Sequence, residues 1–163
     1  MRDVVAKYLQ TGKKIPPNIW WGVTVEDQRC ADERIGSAME LAEMGCFVWV
    51  SNEPAIGFVD FTTWFPHVQW IVMGGMSGSK ACCLDWFKET IQQRDRWVQG
   101  HADRHDVSIF MKQLGSHPYS ADPNLFPGAD LRQDGERWWF MTSGRHNGDI
   151  DKFPPCLQIR ESP

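Results

Sequence analysis

The chain has 163 residues, of which 42% are hydrophobic and 23% charged, and its formal net charge is −4. This composition is typical of one ordinary globular domain and excludes disordered and collagen-like proteins. The weak negative charge does not support nucleic acid as a partner. The apolar runs are far shorter than the roughly 20 residues that span a bilayer, so we expect a cytoplasmic protein without a membrane segment.

Short apolar strands alternate with helical segments over the first two thirds of the chain. Runs of β-branched and aromatic residues predict four buried strands, at 19–25, 46–50, 68–73 and 107–111. Apolar residues spaced by three and four predict helices within 1–14, 31–44 and 84–98. This alternation predicts the α/β class, as a partial (β/α) barrel-like parallel sheet of about four strands with flanking helices.

The alternation of strands and helices stops after residue 115. Residues 116–163 are rich in Pro, Gly, Asp and Arg, and their one aromatic cluster is Trp138, Trp139 and Phe140. This pattern predicts an irregular C-terminal tail that wraps the sheet as loops or as a hairpin. We therefore expect a single domain, with a half-barrel core at 1–115 and an extension at 116–163 that packs on it.

Polar or glycine residues follow every predicted strand. Because the carboxyl ends of parallel strands meet at one rim, we expect these residues to line a ligand site. They are Glu26, Glu53, Gly74, Gly75, Ser77, Lys112 and Gln113. The glycine-rich turn offers backbone N–H groups to an anion or a nucleotide, although it lacks the lysine of a phosphate loop. The structural alternative is that the carboxylates accept loop amides and that Lys112 neutralises one of them in an ion pair.

The cysteines and histidines do not form a recognisable site. The five cysteines have no C-x-x-C spacing and predict neither a disulfide framework nor a metal site built by this chain alone; they are Cys30, Cys46, Cys82, Cys83 and Cys156. The histidines fall in predicted loops and are interpreted as solvated; they are His67, His101, His105, His117 and His146. The sequence has no nucleophile elbow, and so does not predict a hydrolase of that type.

Six blocks of the sequence, from Pro16 to Glu161, resemble successive blocks of one phage and bacterial family in the same order. The blocks are residues 17–28, 31–35, 51–57, 72–78, 110–115 and 147–161. The family is radical-SAM-like, has no known function, and is often encoded beside a three-Cys-motif partner protein. The resemblance implies a (β/α) barrel-like fold, a [4Fe–4S] cluster on three N-terminal cysteines, and S-adenosylmethionine across the strand ends.

The sequence departs from this family in two places. The family's cysteine-bearing segment is expected to be missing before the first block, and Met76 stands where the family usually has Glu. Reductive cleavage of S-adenosylmethionine needs an electron from an iron–sulfur cluster, which needs thiolate ligands. We therefore expect no cofactor in the isolated chain, with S-adenosylmethionine as the one candidate, and no catalytic residues.

Three functions remain open from the sequence. The first is a truncated, non-catalytic radical-SAM-like module of phage origin that keeps a small pocket for a nucleotide or polar ligand. The second is a phage-encoded interaction protein that binds a host defence complex through an exposed sheet edge and a surface formed by some of its nine tryptophans. The third is an enzyme half completed in trans by a cluster-bearing chain. The expected partner is another protein chain or a second copy.

Overall fold

The structure is a computed structural model that describes residues 2–104, 106–141 and 148–163. His105, His146 and Asn147, which the sequence interpretation used, lie outside the described residues. The described helices are α1 (Arg2–Gln10), α2 (Gln28–Glu43) and α3 (Asp85–Gly100). The described strands are β1 (Trp20–Thr24), β2 (Phe47–Ala55), β3 (Trp70–Gly75), β4 (Ala81–Cys83), β5 (Ser108–Gln113), β6 (His117–Ser120), β7 (Leu131–Asp134) and β8 (Arg137–Phe140). Short 3-10 turns lie at Pro123–Leu125, Ile150–Lys152 and Pro155–Leu157.

The main sheet contains the four strands that the sequence predicts. Its order is β1-β2-β3-β5, and every neighbouring pair is parallel. Each new strand therefore lies beside the previous one, which is the order of strands in a (β/α) barrel. The α/β class with a partial, barrel-like parallel sheet is confirmed.

The two faces of this sheet differ in burial. Alternate strand residues on one face are fully buried with α2 and α3 in the core; they include Val48, Val50, Ile71, Met73, Ile109 and Met111. The opposite face carries aromatic rings that remain accessible, and Trp20 among them is 47% exposed. We call this opposite surface the aromatic face; its rings belong to Trp20, Phe47, Trp49, Trp70 and Phe110.

The C-terminal tail covers one edge of the sheet. An antiparallel bridge joins Phe110 of β5 to Arg160, and the N–H of Glu161 donates to the carbonyl oxygen of Ile109 at 2.9 Å. The opposite edge belongs to β1, which has a strand partner on one side only in the part of the chain that the structure describes. The sequence predicts an exposed edge, and the tail protects only the β5 side.

A second sheet forms beside the first, in the order β4-β6-β8-β7. The hairpin that the sequence allows in the tail is confirmed as β7–β8, which turns at Gly135 with φ +60. The strands β4 and β6 were not predicted, because runs of three or four residues show no readable alternation. None of the described helices is long and apolar enough to cross a membrane.

Candidate functional site

A carboxylate held by two donors lies at the carboxyl end of the main sheet. The Nζ of Lys112 lies 2.9 Å from Glu53 Oε2, and Gln113 Nε2 donates to Glu53 Oε1 at 3.1 Å. Gln113 Nε2 also donates to the carbonyl oxygen of Gly75 at 2.9 Å. Strands β2, β3 and β5 each contribute to this group. We call it the rim site; its residues are Glu53, Gly74, Gly75, Lys112 and Gln113.

Gly74 has no side chain and so leaves room for the side chain of Glu53 above β3. A Cβ atom at position 74 would lie 3.0 Å from Cγ and Cδ of Glu53, so the glutamate stem packs directly over the β3 backbone. The Glu53 side chain is only 18% exposed, whereas that of Lys112 is 56% exposed. The rim site therefore presents a sheltered carboxylate beneath an accessible ammonium group, which keeps N–H donors free to rotate toward a ligand.

Gly75 serves a different purpose, since it lets two loops meet backbone to backbone. A Cβ atom there would lie 2.2 Å from the carbonyl oxygen of Leu114. Gly115 packs from the other side with φ +87, and its Cβ would lie 2.8 Å from the oxygen of Met76. The N–H of Gly78 already donates to Ser116 Oγ at 3.1 Å. Backbone packing thus accounts for much of the glycine-rich turn.

Two of the predicted site residues are not among the partners of Glu53. Glu26 Oε2 accepts from Arg34 Nη1 of α2 at 2.7 Å, and the same guanidinium group donates to the Thr24 carbonyl. Partial burial works to raise the pKa of Glu26, but hydrogen bonds from Cys30 and Arg34 outweigh it and hold the pKa below its ordinary value. Ser77 is exposed in the loop after β3. The structure brings together the other five.

The aromatic face adjoins the rim site; the sequence predicted a surface of tryptophans but did not place it on the main sheet. Lys112 lies two residues beyond Phe110 on β5, at the register shift between β3 and β5. The rings form a continuous row across the sheet, with centroid distances of 4.6 Å for Trp20–Phe47, 5.7 Å for Trp49–Trp70 and 6.1 Å for Trp70–Phe110. Aromatic residues at alternate positions of successive strands were the signal that could have revealed this surface.

The cysteines of this chain have raised pKa values and do not lie together as a set of ligands. Burial raises the pKa of Cys82 to about 12, with the neighbouring Cys83 adding to the effect. The pKa of each other cysteine is raised as well, from its ordinary value of 9.0. Within the described residues, no three His, Cys, Asp or Glu side chains lie together as a metal site.

The fold and the rim define an α/β protein with a half-barrel parallel sheet and an ion-paired side-chain cluster at its carboxyl end. Residues 1–146 match a family described as "Protein of unknown function (DUF5131)", and the chain belongs to that family. The match spans the main sheet and the β7–β8 hairpin. Neither a curated protein nor a solved structure matches the chain.

Proposed function

We propose that this chain is a radical-SAM-like binding module of phage origin. Its rim site binds a small polar ligand that carries both a positive and a negative charge, with S-adenosylmethionine as the candidate. The isolated chain performs no catalysis. The observation that carries the proposal is the Glu53 carboxylate, held between Lys112 and Gln113 at the end of the aromatic face.

A zwitterionic ligand suits this geometry because it exchanges with the existing ion pair without leaving a charge unpaired. The ammonium group of an amino acid replaces Lys112 against Glu53, and its carboxylate takes the released Lys112 Nζ. A planar base at the other end of the ligand meets the rings of Trp49 and Trp70, which offer stacking surface. The chain thus binds and orients the ligand through its own side chains.

Calorimetric titration with S-adenosylmethionine and S-adenosylhomocysteine tests this proposal. Both ligands carry the amino-acid group, so we expect both to bind. We expect Glu53→Gln and Lys112→Met each to weaken binding by about tenfold or more, the value of one charge-assisted hydrogen bond. The far-ultraviolet circular dichroism should stay unchanged.

The matched control is Glu89→Gln, which removes the carboxylate of an exposed ion pair with Arg96 on α3. This variant should bind both ligands as the unaltered protein does. If neither ligand binds at millimolar concentration, or if the rim variants bind as well as Glu89→Gln, the rim site is a structural ion pair and the proposal is wrong.

The unpaired edge of β1 favours a second candidate, an interaction protein. Val25 donates its N–H to Ser51 of β2 at 2.9 Å, so the alternate residues Gly22 and Thr24 direct their backbone groups away from the sheet. Arg34 occupies the Thr24 carbonyl, which leaves Gly22 and the 47% exposed Trp20 as the open part of the edge. A second copy, or a strand from another protein such as a host defence complex, would extend the sheet there.

Sedimentation over a range of concentrations tests this second candidate. We expect a concentration-dependent dimer, and Trp20→Lys should sediment as a monomer because a charged edge side chain opposes strand pairing. The control is Val4→Lys, which charges a 65% exposed apolar residue of α1 and should still dimerise. A melting curve for each variant confirms folding. A protein that stays monomeric and takes up no partner strand contradicts this candidate.

A further inference from the structure

One face of the second sheet combines aromatic rings with cationic side chains. Tyr119 of β6 and Trp139 of β8 are register partners, and their ring centroids lie 5.5 Å apart. Arg132 of β7 is the register partner of Trp139 on its other side, and facing partners share a face of the sheet. Arg137 lies over both rings, at 4.6 Å from the Tyr119 centroid and 5.8 Å from that of Trp139.

Core packing does not explain this exposed face, because the hairpin buries its other side. Phe140, the neighbour of Trp139, is 8% exposed and packs edge-on against Phe126 at 5.1 Å between centroids. The apolar contacts that hold the hairpin are therefore made by residues pointing inward. The outward side chains of Arg132, Arg137 and His117 are all exposed.

The arginines of this face differ from those of the helices. Arg29, Arg34 and Arg96 each pair with a carboxylate. Within the residues that the structure describes, neither Arg132 nor Arg137 forms such a pair, even though the protein carries a net charge of −4. A guanidinium group without a carboxylate partner, placed beside an aromatic ring, is suited to a planar anionic ligand, since it can donate two parallel hydrogen bonds to a phosphate group.

A cavity of about 620 Å³ adjoins this face; Arg132 and Trp139 line it, Tyr119 and Arg137 do not, and it shares no lining residue with the rim site. Its wall includes His117, Arg132, Gln133, Asp134 and Trp139. Pockets for small ligands measure roughly 300–1,000 Å³, and they combine an aromatic wall with a few polar groups that fix orientation. The volume and the lining therefore match one nucleotide: a flat base, a sugar and a phosphate.

We propose that this cavity binds a nucleotide, either free or at the end of a single-stranded nucleic acid. The base stacks on Trp139, the phosphate lies between Arg132 and His117, and the Asp134 carboxylate accepts from N–H groups at the base edge. Stacking on an aromatic ring tolerates any base, while the phosphate supplies the charge that the arginine lacks. The site is independent of the rim site and of its proposed ligand.

Calorimetric titration of the full chain with AMP, adenosine and inorganic phosphate tests the proposal. AMP should bind at least about tenfold more tightly than adenosine, since adenosine lacks the group that Arg132 holds. Arg132→Gln should lose about tenfold in AMP affinity, and Trp139→Leu should weaken AMP and adenosine alike. Arg29→Gln removes an exposed arginine of α2 as a matched control, and Glu53→Gln alters the rim site; both should bind AMP as the unaltered protein does.

A single-stranded oligothymidylate separates the two sources of the ligand. Binding that is tighter than that of AMP and depends on Arg132 supports a nucleic acid end, and equal or weaker binding supports a free nucleotide. The proposal is overturned if AMP gives no heat at millimolar concentration, if AMP and adenosine bind equally, or if Arg132→Gln and Arg29→Gln behave alike. Loss of AMP binding in Glu53→Gln would place the nucleotide at the rim and overturn it as well.

Discussion

Replacing Gly75 with alanine is expected to lower the free energy of unfolding by about 3 kcal/mol or more, as forced overpacking does at its upper end. The new Cβ would lie 2.2 Å from the carbonyl oxygen of Leu114 and 2.6 Å from its carbonyl carbon. Both are backbone atoms, so no side chain can rotate away to make room. The loops that follow β3 and β5 must separate, and the Gln113 hydrogen bond to Gly75 is strained with them. Urea unfolding followed by circular dichroism measures the loss.

Two other glycines give graded controls for this effect. Gly36 lies inside α2, and a Cβ atom there would meet nothing within 4 Å beyond the helix's own backbone, so Gly36→Ala should stabilise the protein by up to about 1 kcal/mol. Gly74→Ala meets only the flexible Glu53 side chain, at 3.0 Å, and should disturb the rim site more than it disturbs stability. A Gly75→Ala protein with an unchanged unfolding midpoint would show that the two loops do not need this close approach.

The main sheet could be predicted because buried parallel strands carry their signal locally. Residues 46–50 form a continuous apolar run, and they begin β2 at Phe47. The rim site followed from the same inference, since strands that run in one direction place Glu53 and Lys112 at one end. Their ion pair was foreseen as the structural alternative, and its distance of 2.9 Å agrees with that interpretation.

Features that depend on distant segments could not be predicted in this way. The sequence suggested that Gly75 serves an anion, whereas its packing against Leu114 depends on where the next loop returns. Glu26 follows its strand as Glu53 does, but its carboxylate accepts from Arg34 of α2. The strand pairing of the tail with β5 likewise has no local pattern, because it depends on the contacts of Glu161.

Replacing Glu161 with alanine is the second change with a large expected effect. Its Oε2 accepts from Arg94 Nη1 at 2.8 Å and from the N–H of Ile109 at 2.7 Å, so it joins α3, β5 and the tail. The Arg94 side chain is 10% exposed. Burial alone would lower the pKa of Arg94, but the hydrogen bond and charge of Glu161 outweigh it and keep the pKa raised. Arg94 therefore stays charged and loses a main partner in the variant.

We expect Glu161→Ala to lower the free energy of unfolding by about 2–3 kcal/mol, less than the roughly 3–5 kcal/mol of a fully buried pair. The reduction follows from the 41% exposure of the Glu161 side chain, which lets water screen the interaction. Glu89→Ala breaks the exposed pair with Arg96 and should cost less than about 1 kcal/mol. Adding Arg94→Met to Glu161→Ala removes the unpaired charge. The double variant should therefore lose less unfolding free energy than the sum of the losses in the two single variants. Equal losses of unfolding free energy in Glu161→Ala and Glu89→Ala would mean that the Glu161 carboxylate does not stabilise the packing of the tail against β5.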